Sequence, residues 1–301
     1  MLRHIGWLCG FVVVLLMSWV VRASIPMPGS LPSARYLTGA LRSALLIPPQ
    51  RGGAADLARP PRIRVGPDTS TNWSGYVVTG PVGSVSDVTG SWVVPSVTCA
   101  AGETSFAAFW IGIDGDSSPT VEQIGTDSDC QNGVPTYYAW FEFFPHLPRI
   151  IGTMPVIPGD VIATEVKYDA SSGKFVVAIT NVTRNAAFAF ARRFPAQRTS
   201  AEWIAEAPAA ISGGVLPLAN FDSIDYGGNF TAVSWTNTAT VSGTTGPIAS
   251  FGAAVQSIIM LSQSSAVKAQ PSGLSPDGTS FSITWDSASH GAGRVERGPA
   301  R

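Results

Sequence analysis

The side chains of this 301-residue chain that could carry chemistry are polar residues set inside strongly apolar stretches. Over 106–114, strand alternation puts Ala108, Trp110, Gly112 and Asp114 on one face, with Gly112 keeping that face shallow between Trp110 and Asp114. Gln123 shares a face with Val121 and Gly125. Tyr138, Trp140, Glu142 and Phe144 share another, and Glu202, Ile204 and Glu206 a third, opposite Trp203. A sheet surface that carries Trp, Tyr, Asp, Gln and Glu is unlike an ordinary core and suits the floor of a groove for an extended polymer.

Other catalytic chemistries find little in the sequence. Of the three histidines, His4 lies at the N-terminus, His290 near the C-terminus and His146 in a Pro-flanked loop (FFPHLPR), a poor basis for a Ser-His-Asp or Cys-His site. G-x-S-x-G, HExxH and paired D-T/S-G motifs do not occur. Without CxxC spacing or a His-rich cluster, no metal is expected, and no organic cofactor either. A hydrolase built on this sequence has to work with carboxylates and amides. Each candidate also has a structural reading: Glu206 as a solvated strand residue, Gln123 as a satisfied core amide, Asp114 as a turn former, Glu142 as a buried structural acid and Trp110 as core.

The elements that must position these residues read as strands. The segments 73–78, 106–113, 136–144, 161–168, 174–182, 255–262 and 280–285 are rich in β-branched and aromatic residues, and Gly, Pro, Asp, Asn or Ser separate them. Many short strands without helical crossovers predict an all-β antiparallel sandwich or barrel.

Organisation along the chain suggests export. Residues 1–23 read as a signal peptide, with Arg3 and His4 before the apolar run 5–21 and a cleavage site near Ala23; an uncleaved anchor is the alternative. Residues 24–70, rich in Pro, Arg and Ala, read as a propeptide or a linker. The domain is placed at 71–286 and a disordered tail at 287–301. Cys9 leaves with the signal, so Cys99 and Cys130 form an even pair that predicts a disulfide in an oxidising compartment. The expected location is outside the cell, or the periplasm in a bacterial host.

Charge is unevenly spread. Residues 1–64 hold eight Arg and one acid, Asp56, leaving 11 basic and 19 acidic residues beyond. With only three lysines in the chain, an acidic domain of this kind argues against nucleic-acid binding and suits an acidic medium. The basic leader is expected to lie in the groove at neutral pH as an inhibitor and to be released in acid. No membrane contact is expected after signal removal, and the chain is read as a monomer. Asn72, Asn181 and Asn229 begin N-x-S/T sequons.

The segments NWSGYVV (72–78), FWIGIDGDSSPTVEQIGTD (109–127), YYAWFEFFP (137–145), AEWIAEAP (201–208) and VLPLANFDSIDY (215–226) resemble, in order and spacing, the glutamic peptidases or eqolisins (family G1). That resemblance covers about residues 71–286. It implies a sandwich of two curved antiparallel sheets of lectin-like, concanavalin-like jelly-roll type, and an acid endopeptidase acting on extended polypeptides. It places the catalytic pair at Gln123 and Glu206, substrate-groove residues at Trp110 and Asp114, and a supporting carboxyl at Glu142, with Trp140 and Tyr138 beside it. A glutamate near its ordinary pKa of about 4.3 can act as base and then acid at low pH. A glutamine keeps a donor and an acceptor at any pH. Cysteine positions, a short precursor and the tail after Trp285 depart from the fungal pattern. A sugar-binding lectin-like sandwich and a carboxylate glycosidase are the competing expectations.

Overall fold

Alternation of large and small side chains dictates how the strands stack. A computed structural model describes residues 57–286. The signal, most of the basic leader and the C-terminal tail lie outside the described residues. One antiparallel sheet runs in the order Val255–Leu261, Trp73–Thr79, Ser200–Glu206, Ala108–Ile113, Val121–Gln131, Val134–Phe144 and Arg149–Ile150. The second is built on Val85–Val93. Val161–Asp169, Lys174–Asn181 and Ala186–Arg192 follow on one side of it, and Ser223–Tyr226 and Thr238–Val241 pair along its other edge. Phe281–Trp285 and Val267–Pro271 extend this sheet to Val255–Leu261, which takes part in both. Helical structure in the described residues is short, at Gly228–Thr231 and Ile248–Ala254. The two-sheet all-β sandwich expected from the sequence is therefore present.

The inter-sheet core includes Trp92, Phe109, Ile111, Phe141, Phe175 and Trp203, all buried. The two tryptophans spend their N–H groups inside it: Trp92 Nε1 donates to Thr126 Oγ1 at 3.0 Å and Trp203 Nε1 to the Thr89 carbonyl at 2.8 Å. A second, smaller cluster forms on the other face of the first sheet, from Trp73, Val77, Ala108, Trp110, Val121, Trp140, Ile204 and Ile258. Large side chains fit there because Gly125 lies opposite Trp110. A Cβ at Gly125 would come within 2.6 Å of the Trp110 Cβ.

Several strands differ from the sequence reading. Val85–Val93 and Ala186–Arg192 are full strands that the sequence reading did not single out; the first mixes Ser, Asp, Thr and Gly with its apolar residues and the second is largely alanine, so neither stands out by its β-branched and aromatic density. Val121–Gln131 runs eleven residues, through the acidic TDSD stretch. Ordered pairing also extends N-terminal of residue 71: Leu57 and Ala58 pair with Ala210 and Ala209, and Arg64–Gly66 pairs with Thr69–Ser70. Cys99 and Cys130 are joined in a disulfide with Cα atoms 5.5 Å apart. Asn72 and Asn181 are buried in hydrogen-bond networks while Asn229 is exposed, so of the three sequons only Asn229 presents its side chain to solvent in the folded chain.

Candidate active site

The Ala108–Ile113 strand lies between the strand that carries Glu206 and the strand that carries Gln123. Its Trp110 stands in the small cluster together with Ile204 and Val121, so the two candidates leave one sheet surface with a single strand between them. Glu206, the last residue of its strand, is fully buried. Its Oε2 accepts from Trp110 Nε1 at 2.9 Å and its Oε1 from Asn72 Nδ2 at 3.4 Å. Trp73 packs edge-on against Trp110 with ring centroids 5.0 Å apart, which fixes the indole. Burial drives the Glu206 pKa well above the ordinary carboxylate range; the positive charge of Arg59 pulls it back, Glu142 adds to the rise and the Trp110 N–H opposes it.

Gln123 Nε2 has two acceptors, each at 2.9 Å: the main-chain carbonyl of Arg59 and Glu142 Oε2. A peptide carbonyl can only accept, so the amide must turn its NH₂ toward Arg59. Gln123 Oε1 has no partner among the described residues and is left for a donor such as water. Burial pushes the Glu142 carboxyl up to about 8, against the charge of Arg59, so Glu142 is protonated in acid.

Arg59 is the residue that sequence reasoning missed. It comes from the basic leader and is 1% exposed. Its guanidinium stacks over the Trp140 ring at 3.8 Å from the centroid and forms a buried ion pair with Asp127. Burial is the largest influence and works against its charge, but the attraction of Asp127, together with Tyr138, Glu142 and Glu206, outweighs it, so the guanidinium stays ionised. Tyr138 Oη donates to Asp127 Oδ2 at 2.7 Å and lies 2.9 Å from Asp129 Oδ2. One hydroxyl has one proton. Burial, followed by repulsion from Asp127, holds the Asp129 pKa well above the ordinary range, so Asp129 keeps its proton and supplies the second bond.

Leu57–Ile63 crosses this surface as an extended strap. Leu57 and Ala58 pair with Ala210 and Ala209 at one end, and Arg62 N donates to the Gly115 carbonyl at 3.0 Å at the other. Arg62 Nη1 reaches Asp116 Oδ1 at 2.7 Å, and Ile63 N donates to Asn72 Oδ1 at 2.8 Å. The Pro61 carbonyl lies 3.3 Å from Asn72 Nδ2, the group that also faces Glu206.

The structure thus gathers Gln123, Glu206, Trp110, Glu142, Trp140 and Tyr138 around the strap. Asp114 does not join them. It sits just past its strand at φ 72°, and its carboxylate accepts from Arg198 N at 2.7 Å, Thr199 N at 2.8 Å and Thr199 Oγ1 at 2.9 Å, which braces the entry to the Glu206 strand. Asn72, Arg59 and Asp127 enter the site without having been assigned a role. Among the described residues no group of three His, Cys, Asp or Glu is placed to hold a metal ion. The Gln123 amide donates to a peptide carbonyl, and a buried carboxyl, Glu206, leaves the same sheet surface.

Known proteins of similar sequence and fold are peptidases. The model of the Peptidase A4 family matches residues 71–273. Aspergillopepsin-2 of Aspergillus niger is 28% identical over 202 residues, spanning 59% of this chain and 67% of the relative. The crystal structure of scytalido-glutamic peptidase with a transition state analog inhibitor matches with a TM-score of 0.59 at 21% identity, covering 72% of this chain and 98% of that one. SCP-B, a member of the eqolisin family of peptidases in a complex with the tripeptide Ala-Ile-His, matches with a TM-score of 0.55, the same identity and the same coverage. At these identities the two solved structures speak to fold.

Proposed function

Since the chain belongs to the Peptidase A4 family and is a glutamic-type peptidase, we propose that it is a secreted acid endopeptidase in which Glu206 and Gln123 hydrolyse peptide bonds. One observation carries this reading: a main-chain peptide carbonyl, that of Arg59, rests on the Gln123 amide 2.9 Å away, in the groove that also holds Glu206.

In this mechanism Glu206, ionised, takes a proton from a water that Gln123 Oε1 orients. The hydroxide adds to the carbonyl carbon, and the oxyanion takes the place of the Arg59 carbonyl on Gln123 Nε2. Glu206 passes its proton to the leaving nitrogen as the C–N bond breaks, giving a carboxylic acid and an amine. Trp110 holds Glu206 in place, and protonated Glu142 neighbours the amide without adding negative charge to the oxyanion site. Displacing the strap admits water and lowers the burial cost that keeps Glu206 protonated, while it also removes the Arg59 charge that favours the ionised form; the mechanism requires the first effect to outweigh the second.

The same geometry supports a role for the basic leader as inhibitor. Leu57–Ile63 covers Gln123 and Trp140 and competes with a substrate while it stays there. Export follows from the N-terminal reading; no helix of the described residues is long and apolar enough to cross a membrane.

Purified protein should digest casein between pH 2 and 4 and continue in the presence of pepstatin and EDTA. Absence of digestion at every pH, or its arrest by EDTA, contradicts the proposal.

A further inference from the structure

The side chain of Arg59 occupies a built pocket. Its wall is Asp127, fully buried and paired with the guanidinium, and its floor is Trp140, also fully buried, with the ring 3.8 Å below the guanidinium carbon. Behind Asp127, the Tyr138 hydroxyl donates to the same carboxylate at 2.7 Å and so fixes the oxygen that meets the cation. A flat cation fits an aromatic floor and a carboxylate wall better than a lysine ammonium does, because a guanidinium can stack and pair at once.

The position of this pocket along the chain matters as much as its chemistry. The carbonyl resting on Gln123 belongs to Arg59 itself. The residue whose side chain fills the pocket is therefore the residue that supplies the acyl group of the bond next to the amide.

We propose that the pocket of Asp127, Tyr138 and Trp140 selects arginine as the residue on the acyl side of the cleaved bond, and that Arg59 occupies it as a resident mimic. This inference rests on the peptidase reading above. A neutral side chain in that place leaves Asp127 buried with no counter-charge, a loss expected to reach about 100-fold in binding.

The test uses the full chain carrying Arg59→Ala, in which the mimic and its anchoring contacts with Asp127 and Trp140 are gone, so that an added peptide can displace the weakened strap. Its probe is a fluorescein-labelled peptide of sequence Leu-Ala-Arg-Pro-Pro-Arg, read by anisotropy at pH 6. The competitor peptides replace the first arginine by citrulline, which keeps the shape and loses the charge, or by leucine. The arginine peptide should bind about 100-fold tighter than both, and Asp127→Asn in the same background should erase the difference. Equal binding of the citrulline peptide overturns the proposal. If Arg59→Ala does not fold, the wild-type chain is given a mixed peptide library at pH 4: cuts concentrated after arginine support the pocket, and cuts indifferent to arginine overturn it. The two readings separate cleanly. Cutting without arginine preference leaves the peptidase and removes the pocket, whereas selective arginine binding without any cutting leaves the pocket and removes the peptidase.

Discussion

The Gln123 side-chain amide holds the main-chain carbonyl of Arg59 at 2.9 Å, while its carbonyl oxygen has no partner among the described residues. An amide used in this way is a donor to a peptide oxygen and a free acceptor for water. Gln123→Ala removes both. It should lower kcat by about 100- to 1,000-fold, the size of effect seen when one oxyanion donor is lost, with a smaller change in KM and an unchanged circular dichroism spectrum. An unchanged kcat would mean that Gln123 only supports Glu142.

Trp110 acts on Glu206 through one N–H, at 2.9 Å. Burial is the main force that raises the Glu206 pKa, and this bond opposes it. Trp110→Phe keeps a ring against Trp73 and removes the donor, so the Glu206 pKa should rise further. The base form is the active one, and the acid limb of the pH–rate profile should therefore move to higher pH, with kcat about 10-fold lower at pH 3. A limb that stays in place would show that the indole only packs.

Much of this site could be read from the residues before any coordinates. Trp110, Gln123, Glu142 and Glu206 stand out because polar groups and tryptophan recur with a period of two inside apolar strands, and the spacing of their segments matches a known family. Asp114 shares the strand parity of Trp110, but a left-handed residue just after the strand turns its carboxylate toward Thr199; parity fails where the strand ends. Arg59 was hidden for another reason. An arginine before Pro-Pro in a basic leader has the local character of a solvated linker, and the partners of its guanidinium, Asp127 and Trp140, lie more than sixty residues away. A signal for it did exist: Asp127 has the same parity as Gln123 and Gly125, so a buried acid on the site face needed a cation from somewhere.

Stability should favour acid. Glu122 and Glu202 are fully buried, and burial is the main cause that raises both pKa values well above the ordinary range; Glu142 is pushed up to about 8 by the same cause. An acid whose folded pKa is raised binds more protons folded than unfolded. Its contribution is complete below the unfolded value of about 4.3 and is lost as pH rises from there toward the folded pKa. Thermal unfolding should thus give a higher Tm at pH 4 than at pH 7, each kcal/mol lost lowering Tm by about 2–4 °C. Glu202→Gln and Glu122→Gln should flatten the dependence. A Tm that climbs from pH 4 to pH 7 would refute this balance.

The disulfide anchors the far end of the Gln123 strand, since Cys130 is its next-to-last residue. Replacing both Cys99 and Cys130 by Ser should cost about 2–4 kcal/mol in denaturant unfolding and leave kcat within about twofold, because Gln123 sits near the opposite end of that strand and Glu206 is held from other strands by Trp110 and Asn72. A large fall in kcat with little loss of stability would place the bond in the catalytic geometry.

Everything in the mechanism passes through one carboxyl group. Glu206→Gln preserves the shape of that group and keeps one acceptor oxygen, enough for Trp110 or Asn72 but not both, while removing its ability to take up a proton. The decisive measurement is casein hydrolysis by wild type and Glu206→Gln, side by side from pH 2 to pH 7, with folding verified by circular dichroism. Wild type should show a maximum in acid, and the variant a rate at least about 1,000-fold lower at every pH. A folded Glu206→Gln protein that hydrolyses casein within about tenfold of wild type would contradict this expectation.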